Sequence, residues 1–469
     1  MEETKKFKAS RYNHFVPAEN GKRLAFNALS CGLAEMDDES YEVYEALAGG
    51  DGDQIDREKN ADLIENLKKG GFLIDPELDE LAAIRAAHYR SRFGNRGFGL
   101  TLIPTLQCNF ACDYCYEDSK IRSTPADRGG VMSDEVCDNV VRLCEQRVEP
   151  KGSFGVTWYG GEPLLAPHII ETLSEEFIRI CNEKEADFHA GIITNGYLLN
   201  QKNLELLRRC RVSFAQVTID GPREIHDQRR CLKGGGGTFD RIMDNLASLP
   251  EDSGIRIAIR INVDKRNENR IPDLLADFKR RGFHKRKDIS LSFGQVFQAG
   301  GSCPDISTSC LATSEFSAFL ADAYATAIDM GFRHASYPAR QFGCGAVGTS
   351  SAVIEPTGTV QNCWETVGHD EKRTGILRPE GIAYENNYTK WLGWTPFNGE
   401  CLTCGLLPLC TGGCPHRSLY LTDIDNCVSW KYNLSLVLPL VRLARERHLL
   451  AAQLDSRVAS DRASTVDHQ

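Results

Sequence analysis

The sequence predicts an α/β protein: a partial (β/α)6 barrel between an N-terminal winged-helix-like unit and a C-terminal cysteine-rich region. Three observations carry that expectation. Between Gly97 and about Met330, six apolar strand-like runs alternate with helical patterns, the order that gives parallel strands with helices outside. The first 93 residues instead combine a hairpin signal with two short amphipathic helices. After Met330 the periodicity fades while cysteine density rises. At 469 residues the chain is too long for one ordinary domain. Boundaries are expected at 1–93, 94–330, 331–433 and 434–469.

In the N-terminal unit, Asn20-Gly21 marks a two-residue turn, and Leu24, Phe26 and Ala28 alternate after it. Asp37 or Asp38 caps a helix carrying Tyr41, Tyr44 and Leu47. A second helix places Leu63, Ile64 and Leu67 on one face, and "GGFLI" supplies a closing strand. This unit holds 13 Lys/Arg against 19 Asp/Glu, a poor match for phosphate. Peptide addition to a free strand edge fits better, with an inert cap on the next domain as the plainer alternative.

The barrel strands are expected at Phe98–Ile103, Phe154–Trp158, Phe188–Ile193, Val212–Ile219, Ile255–Val263 and Ile289–Val296. Helical patterns such as Asp134–Arg147, His168–Cys181 and Phe239–Leu249 separate them. Six units suit an open barrel better than a closed one of eight, and ligands bind such folds at the C-terminal strand ends. Asn433–Leu454 reads as an amphipathic helix followed by a polar tail.

Bulk composition narrows the function classes. With 55 Lys+Arg against 65 Asp+Glu, the net charge of −10 disfavours a nucleic-acid partner. No run of ~18 apolar residues offers a membrane span, and "MEETKKFKAS" lacks an apolar signal segment. A cytoplasmic location is expected. There, clustered cysteines among the 18 point to metal binding or redox chemistry rather than disulfides. Cys31, Cys137, Cys144, Cys181, Cys210 and Cys231 are scattered singly and read as small buried hydrophobes.

Chemistry-bearing motifs fall where the barrel strands end. Cys108, Cys112 and Cys115 follow the first strand with C-x3-C-x2-C spacing. Zinc would want four protein ligands, or three and water; an iron–sulfur cube wants four. Gly160, Gly161, Glu162 and Pro163 follow the second strand, and paired glycines admit close backbone approach. "ITNGYLL" contains Asn195 and Gly196, and "VTIDGPREIHDQRR" contains Thr218, Asp220 and an H-D-x-x-R element ending at Arg230. Arg260 and Asn262 in "RINV" form a weaker signal. Turn formation, strand-end capping and surface ion pairs are the plain alternatives for these residues.

The cysteine spacing, its place after strand one and Tyr116 beside the last cysteine resemble the radical S-adenosylmethionine (radical SAM) superfamily. The resemblance implies a 4Fe–4S cluster on Cys108, Cys112 and Cys115, with one iron left for the amino and carboxylate groups of S-adenosylmethionine. It further implies cofactor contacts from Tyr116, from the Gly160–Pro163 motif toward the methionyl amino group, and from Asn195, Thr218 and Arg230.

Downstream, thirteen residues separate Cys344 from Gly358 and four more precede Cys363. Then come Cys401-x2-Cys404-x5-Cys410-x3-Cys414 and, twelve residues later, Cys427. This resembles the seven-cysteine SPASM pattern of radical SAM peptide-modifying enzymes. It implies two auxiliary 4Fe–4S clusters, one on Cys401, Cys404, Cys410 and Cys427, the other on Cys344, Cys363 and Cys414. The second has three obvious ligands; Cys303, Cys310 or an open iron that binds a substrate thiolate are the alternatives. A zinc ribbon is the alternative to SPASM itself.

The implied function is maturation of a ribosomally made precursor peptide, its leader gripped by the N-terminal unit. The expected product is an intramolecular thioether, formed through a 5′-deoxyadenosyl radical with electrons from a flavodoxin or ferredoxin. A carbon–carbon crosslink is the runner-up. Anaerobic sulfatase maturation is a third reading; those enzymes carry an acidic base just after the second SPASM cysteine, whereas here Trp364 intervenes before Glu365. A cluster-bearing peptide-binding or electron-transfer protein is the reading outside enzymology.

Overall fold

The structure is a computed structural model that describes residues 7–18, 21–50, 52–94, 97–115, 117, 130–297, 306–332, 337–340, 343–421 and 424–447. Tyr116, Cys303 and the turn residue Asn20 lie outside the described residues.

The N-terminal unit contains β1 (Lys8–Ala9), β2 (Asn13–Pro17), β3 (Arg23–Asn27), β4 (Leu33–Met36) and β5 (Leu73–Ile74). Strands β2, β3 and β4 form an antiparallel sheet, and Gly21 takes the positive φ of 72° that the predicted turn needs. The "GGFLI" strand, β5, pairs with β1 instead of joining that sheet. Asp37 caps the first helix, Asp38–Gly49, by accepting the Ser40 N–H at 2.9 Å. The second helix spans Ala61–Lys69, and a third, Glu80–Phe93, was not predicted. Its apolar positions are largely alanines, which leave little contrast between its faces.

All six barrel strands form within a few residues of the expected spans. They are β6 (Gly97–Thr105), β7 (Ser153–Gly160), β8 (Asp187–Thr194), β9 (Val212–Thr218), β10 (Arg256–Val263) and β11 (Ile289–Gln295). They lie side by side in chain order and parallel. Their inner and helix-facing sides share a core built on Phe154, Trp158, Phe177, Val217, Ile259 and Phe278, all fully buried.

The barrel stays open. The free edge of β6 is taken by β12 (Ser351–Ile354), which runs parallel to it, and not by β11. β13 (Thr359–Gln361), β14 (Gly375–Arg378) and β15 (Gly381–Tyr384) continue the sheet antiparallel. The region read as loop-rich thus extends the barrel sheet through four strands of three or four residues. Runs that short leave no periodic signal in the sequence.

A second core ties the chain ends together. Tyr12, Leu24, Phe26 and Ile84 pack with Leu406, Leu407, Leu409 and Leu438, the last from a helix over 430–447. Arg11 donates to the Leu402 carbonyl at 2.6 Å, and His14 Nε2 lies 3.1 Å from the Gly405 carbonyl. Among the described residues, no helix is long and apolar enough to cross a membrane.

Candidate active site

A cavity of about 380 Å³ opens at the C-terminal ends of the barrel strands. Cys108, Cys112 and Cys115 line one side, and Thr218, Arg230 and Arg260 contribute from β9 and beyond. Six strands end at this rim because parallel order points every C-terminus the same way.

The turn after β7 is built on its glycines. Gly160 has φ +116°, and a Cβ there would lie 2.7 Å from the Thr105 carbonyl oxygen. At Gly161 a Cβ would collide with the carbonyl oxygens of Leu106 and Gln107. The turn instead bonds to that backbone: the Gly161 N–H donates to Thr105 at 3.2 Å and the Glu162 N–H to Gln107 at 2.8 Å. The paired glycines therefore let the turn close onto the cysteine loop, while both still line the cavity.

Glu162 is fully buried. Its carboxylate accepts the Leu164 N–H at 3.0 Å, the Thr194 hydroxyl at 2.8 Å and the Asn195 N–H at 2.8 Å. Burial raises its pKa against the pull of those donors. Asn195, which also lines the cavity, donates from its amide to Asn109 at 2.8 Å.

The H-D-x-x-R element divides its labour. His226 Nδ1 accepts the Asp220 N–H at 3.2 Å, and Asp227 accepts the Thr238 and Phe239 N–H groups at 2.7 and 2.8 Å. Both are structural. Arg230 reaches the cavity and donates to the Tyr114 hydroxyl at 2.5 Å. Tyr114 in turn donates to Asp220, whose other oxygen accepts the Asn262 N–H at 3.0 Å. Burial works against the Arg230 charge, but Cys112, Tyr114 and Asp220 outweigh it and hold the guanidinium protonated. Arg229 turns away to Asp264, with both contacts at 2.8 Å.

Tyr114 was missed by sequence reasoning. Its only signal was an aromatic residue inside the C-x3-C-x2-C loop. Arg260 gains its place from Gly294, the residue beside Asn262 on β11, where any Cβ would collide with the guanidinium. Burial lowers the Arg260 pKa, yet its ordinary value is so high that the charge persists.

The C-terminal region supplies the far wall through Trp364, Glu365 and His369. The Trp364 ring is 43 % exposed and sits 5.9 Å from that of Tyr159. Glu365 Oε2 is buried with no hydrogen-bond partner among the described residues. Burial pushes its pKa up to about 7, even with Arg417, Arg260 and Lys372 pulling it down. Such a carboxyl beside a reaction cavity is poised for proton transfer near neutral pH.

The cysteines favour a metal partner over bare thiolates. Burial pushes Cys108 up to about 12 and also raises Cys344, Cys363, Cys401, Cys410 and Cys427. A cationic centre supplies the charge that deprotonates such thiols. Cys363 feels the charge of Cys344 and Cys414, whereas Cys401 feels Cys404 and Cys427, and Cys410 feels Cys404 and Cys401. Among the described residues no three candidate ligands converge into a closed metal group, so the thiols stand as walls rather than preformed cages.

Residues 102–278 match the family model of the radical SAM superfamily. That segment takes in the rim cysteines and most of the open barrel, so this part of the chain is a radical SAM domain. The match implies S-adenosylmethionine and a 4Fe–4S cluster, which the half-buried Cys108 thiol and the cavity beside it fit.

Among its relatives is the radical SAM cyclopropyl synthase TigE of Paramaledivibacter caminithermalis, 22% identical over 440 residues, 86% of this chain and 89% of that one. The cysteine-type anaerobic sulfatase-maturating enzyme of Clostridium perfringens is 23% identical over 66% of this chain and 85% of its own. The fold is shared with the solved anSMEcpe structure with bound AdoMet and Kp18Cys peptide, at TM-score 0.58 and 21% identity over 74% of this chain and 99% of that one. Streptococcus suis SuiB bound to precursor peptide SuiA gives TM-score 0.50 and 14% identity, over 90% and 99%.

Proposed function

We propose that the chain is a peptide maturase that forms an intramolecular thioether in a ribosomally made precursor peptide. One observation carries this reading above sulfatase maturation: the N-terminal unit is a built part of the enzyme. Among the described residues, strands β2 and β4 each pair on one side only, leaving edges that an extended leader peptide can join. The unit packs on the loop that carries Cys401 and Cys404 through Tyr12, Leu24 and Phe26. The SuiB fold accounts for 90% of this chain, whereas the anSMEcpe fold accounts for 74%.

Cys108, Cys112 and Cys115 would hold the cluster that, with S-adenosylmethionine, would supply a 5′-deoxyadenosyl radical, and the seven downstream cysteines would hold auxiliary clusters able to take the surplus electron. The chain's own residues do the rest. Arg230, Thr218 and Asn195 orient the cofactor from the strand ends. Trp364 and Tyr159 cover the cavity and exclude water from it. Glu365 accepts the proton that the substrate thiol loses as its sulfur bonds to carbon. One hydrogen thus leaves as 5′-deoxyadenosine and the other as a proton. The surplus electron equals the one spent on cleaving the cofactor, so its return to the first cluster would restore the chain, and a donor such as a flavodoxin or ferredoxin would supply only the priming electron.

A carbon–carbon crosslink is the second reading, favoured by the similarity to a cyclopropyl synthase over 86% of the chain. Mass spectrometry of a precursor peptide treated with reconstituted enzyme separates the two. A thioether removes two hydrogens and protects one cysteine from alkylation; a carbon–carbon bond removes two hydrogens and leaves every thiol reactive. An unprocessed peptide despite 5′-deoxyadenosine formation would overturn the maturase reading for that peptide class, and formylglycine would replace it with sulfatase maturation.

A further inference from the structure

Cys344, Cys363 and Cys414 leave one iron of a four-iron cluster without a protein thiolate. We propose that the imidazole of His416 occupies that position. The inference rests on the auxiliary-cluster reading above, and it replaces the open iron and Cys303 or Cys310 as the fourth partner.

The observation is a group of orphaned polar atoms. His416 is 1 % exposed, and neither of its ring nitrogens has a hydrogen-bond partner among the described residues. Its neighbours Trp391 Nε1 and Tyr420 Oη are buried too, but they face each other as a donor–acceptor pair. The three rings form one block, with His416 stacked 6.4 Å from Trp391 and 5.3 Å from Tyr420. Cys363 packs in the same cluster as Trp391 and Tyr420. His416 itself stands two residues past Cys414, in the helix Pro415–Tyr420 for which Cys414 is the N-cap.

Buried polar groups are almost always satisfied, and an orphan carries the full cost of its desolvation. Two unbonded nitrogens on one buried ring are therefore a strong sign that something polar fits against them. A cluster held by the adjacent cysteines meets the need of each. One imidazole nitrogen would give its lone pair to iron, and the other, as N–H, would donate toward cluster or thiolate sulfur. No electron or proton is transferred in the ligation, since neutral imidazole is already the ligating form. A closed cluster of this kind accepts an electron but does not bind a substrate thiolate, so bond formation takes place in the barrel cavity beside Glu365.

The test uses the full chain with Cys108, Cys112 and Cys115 replaced by alanine, so that only auxiliary clusters remain. After anaerobic reconstitution it should hold about eight irons. Pulsed EPR of the reduced protein should show a directly coordinated nitrogen whose signal changes on [15N]histidine labelling. His416→Cys should keep the iron and abolish the nitrogen coupling. About eight irons with no histidine coupling would overturn the proposal and leave the two-cluster reading intact. About four irons, unchanged by Cys363→Ala, would remove the auxiliary cluster itself and the proposal with it.

Discussion

Glu162 accepts the backbone N–H of Asn195 at 2.8 Å, joining the turn after β7 to the end of β8. Its other oxygen is held by the Leu164 N–H and the Thr194 hydroxyl. The glutamate of the glycine motif is thus engaged in holding the rim in shape. Replacing it with alanine leaves three buried donors unsatisfied and should destabilise the chain by about 2–4 kcal/mol, read from denaturant unfolding of the apo protein. An unchanged midpoint would show that the carboxylate serves only a ligand.

Glu365 should govern pH dependence. Its folded pKa of about 7 lies above its ordinary value because of burial. A proton acceptor works only when ionised, so crosslinking should rise with pH through about 7 and level off above it. Glu365→Gln should lower product formation by about 10²–10⁴ while 5′-deoxyadenosine still forms.

The same residue makes a prediction for stability. A carboxyl with a raised folded pKa binds more protons folded than unfolded, so its burial costs stability progressively as pH climbs from about 4.5 to about 7. The Tm of Glu365→Gln relative to the parent should therefore increase between pH 5 and pH 8. A difference that does not vary with pH would show that the carboxyl is not destabilised by burial.

Gly161→Ala tests the close approach of the turn to the cysteine loop. The new Cβ collides with two carbonyl oxygens, which are backbone and cannot swing aside. A loss of about 1–3 kcal/mol is expected, together with iron loss confined to the site on Cys108, Cys112 and Cys115. Normal iron content and stability would place the turn farther from that loop.

Deleting residues 1–93 should do more than abolish leader binding. It strips Tyr12, Leu24, Phe26 and Ile84 from a core shared with Leu406, Leu407 and Leu409, beside Cys401 and Cys404. Iron should fall from about twelve toward about eight per chain. Retention of all the iron in the truncated chain would show that the loop holds its own shape. Proline substitutions in β4 are the cleaner probe of leader binding, since they spoil the strand edge with less loss of core.

The sequence by itself determined the parallel strands, their order and the position of every cysteine motif. These depend on local alternation of apolar runs and on spacing within a few residues, which survive in one dimension. Tertiary structure alone decided that the barrel is held open by β12, that Gly160 and Gly161 admit the chain's own backbone, and that Glu365 and Arg260 share a cavity. It also decided that Tyr114 bridges Arg230 and Asp220, and that the two chain ends share a core. Those contacts join residues up to several hundred positions apart, and a lone glutamate, arginine or tyrosine has no periodicity to announce its partner. The physical reason is desolvation: a carboxylate becomes a proton acceptor near neutral pH only once folding has removed its water, and no sequence pattern encodes which side chains will do so.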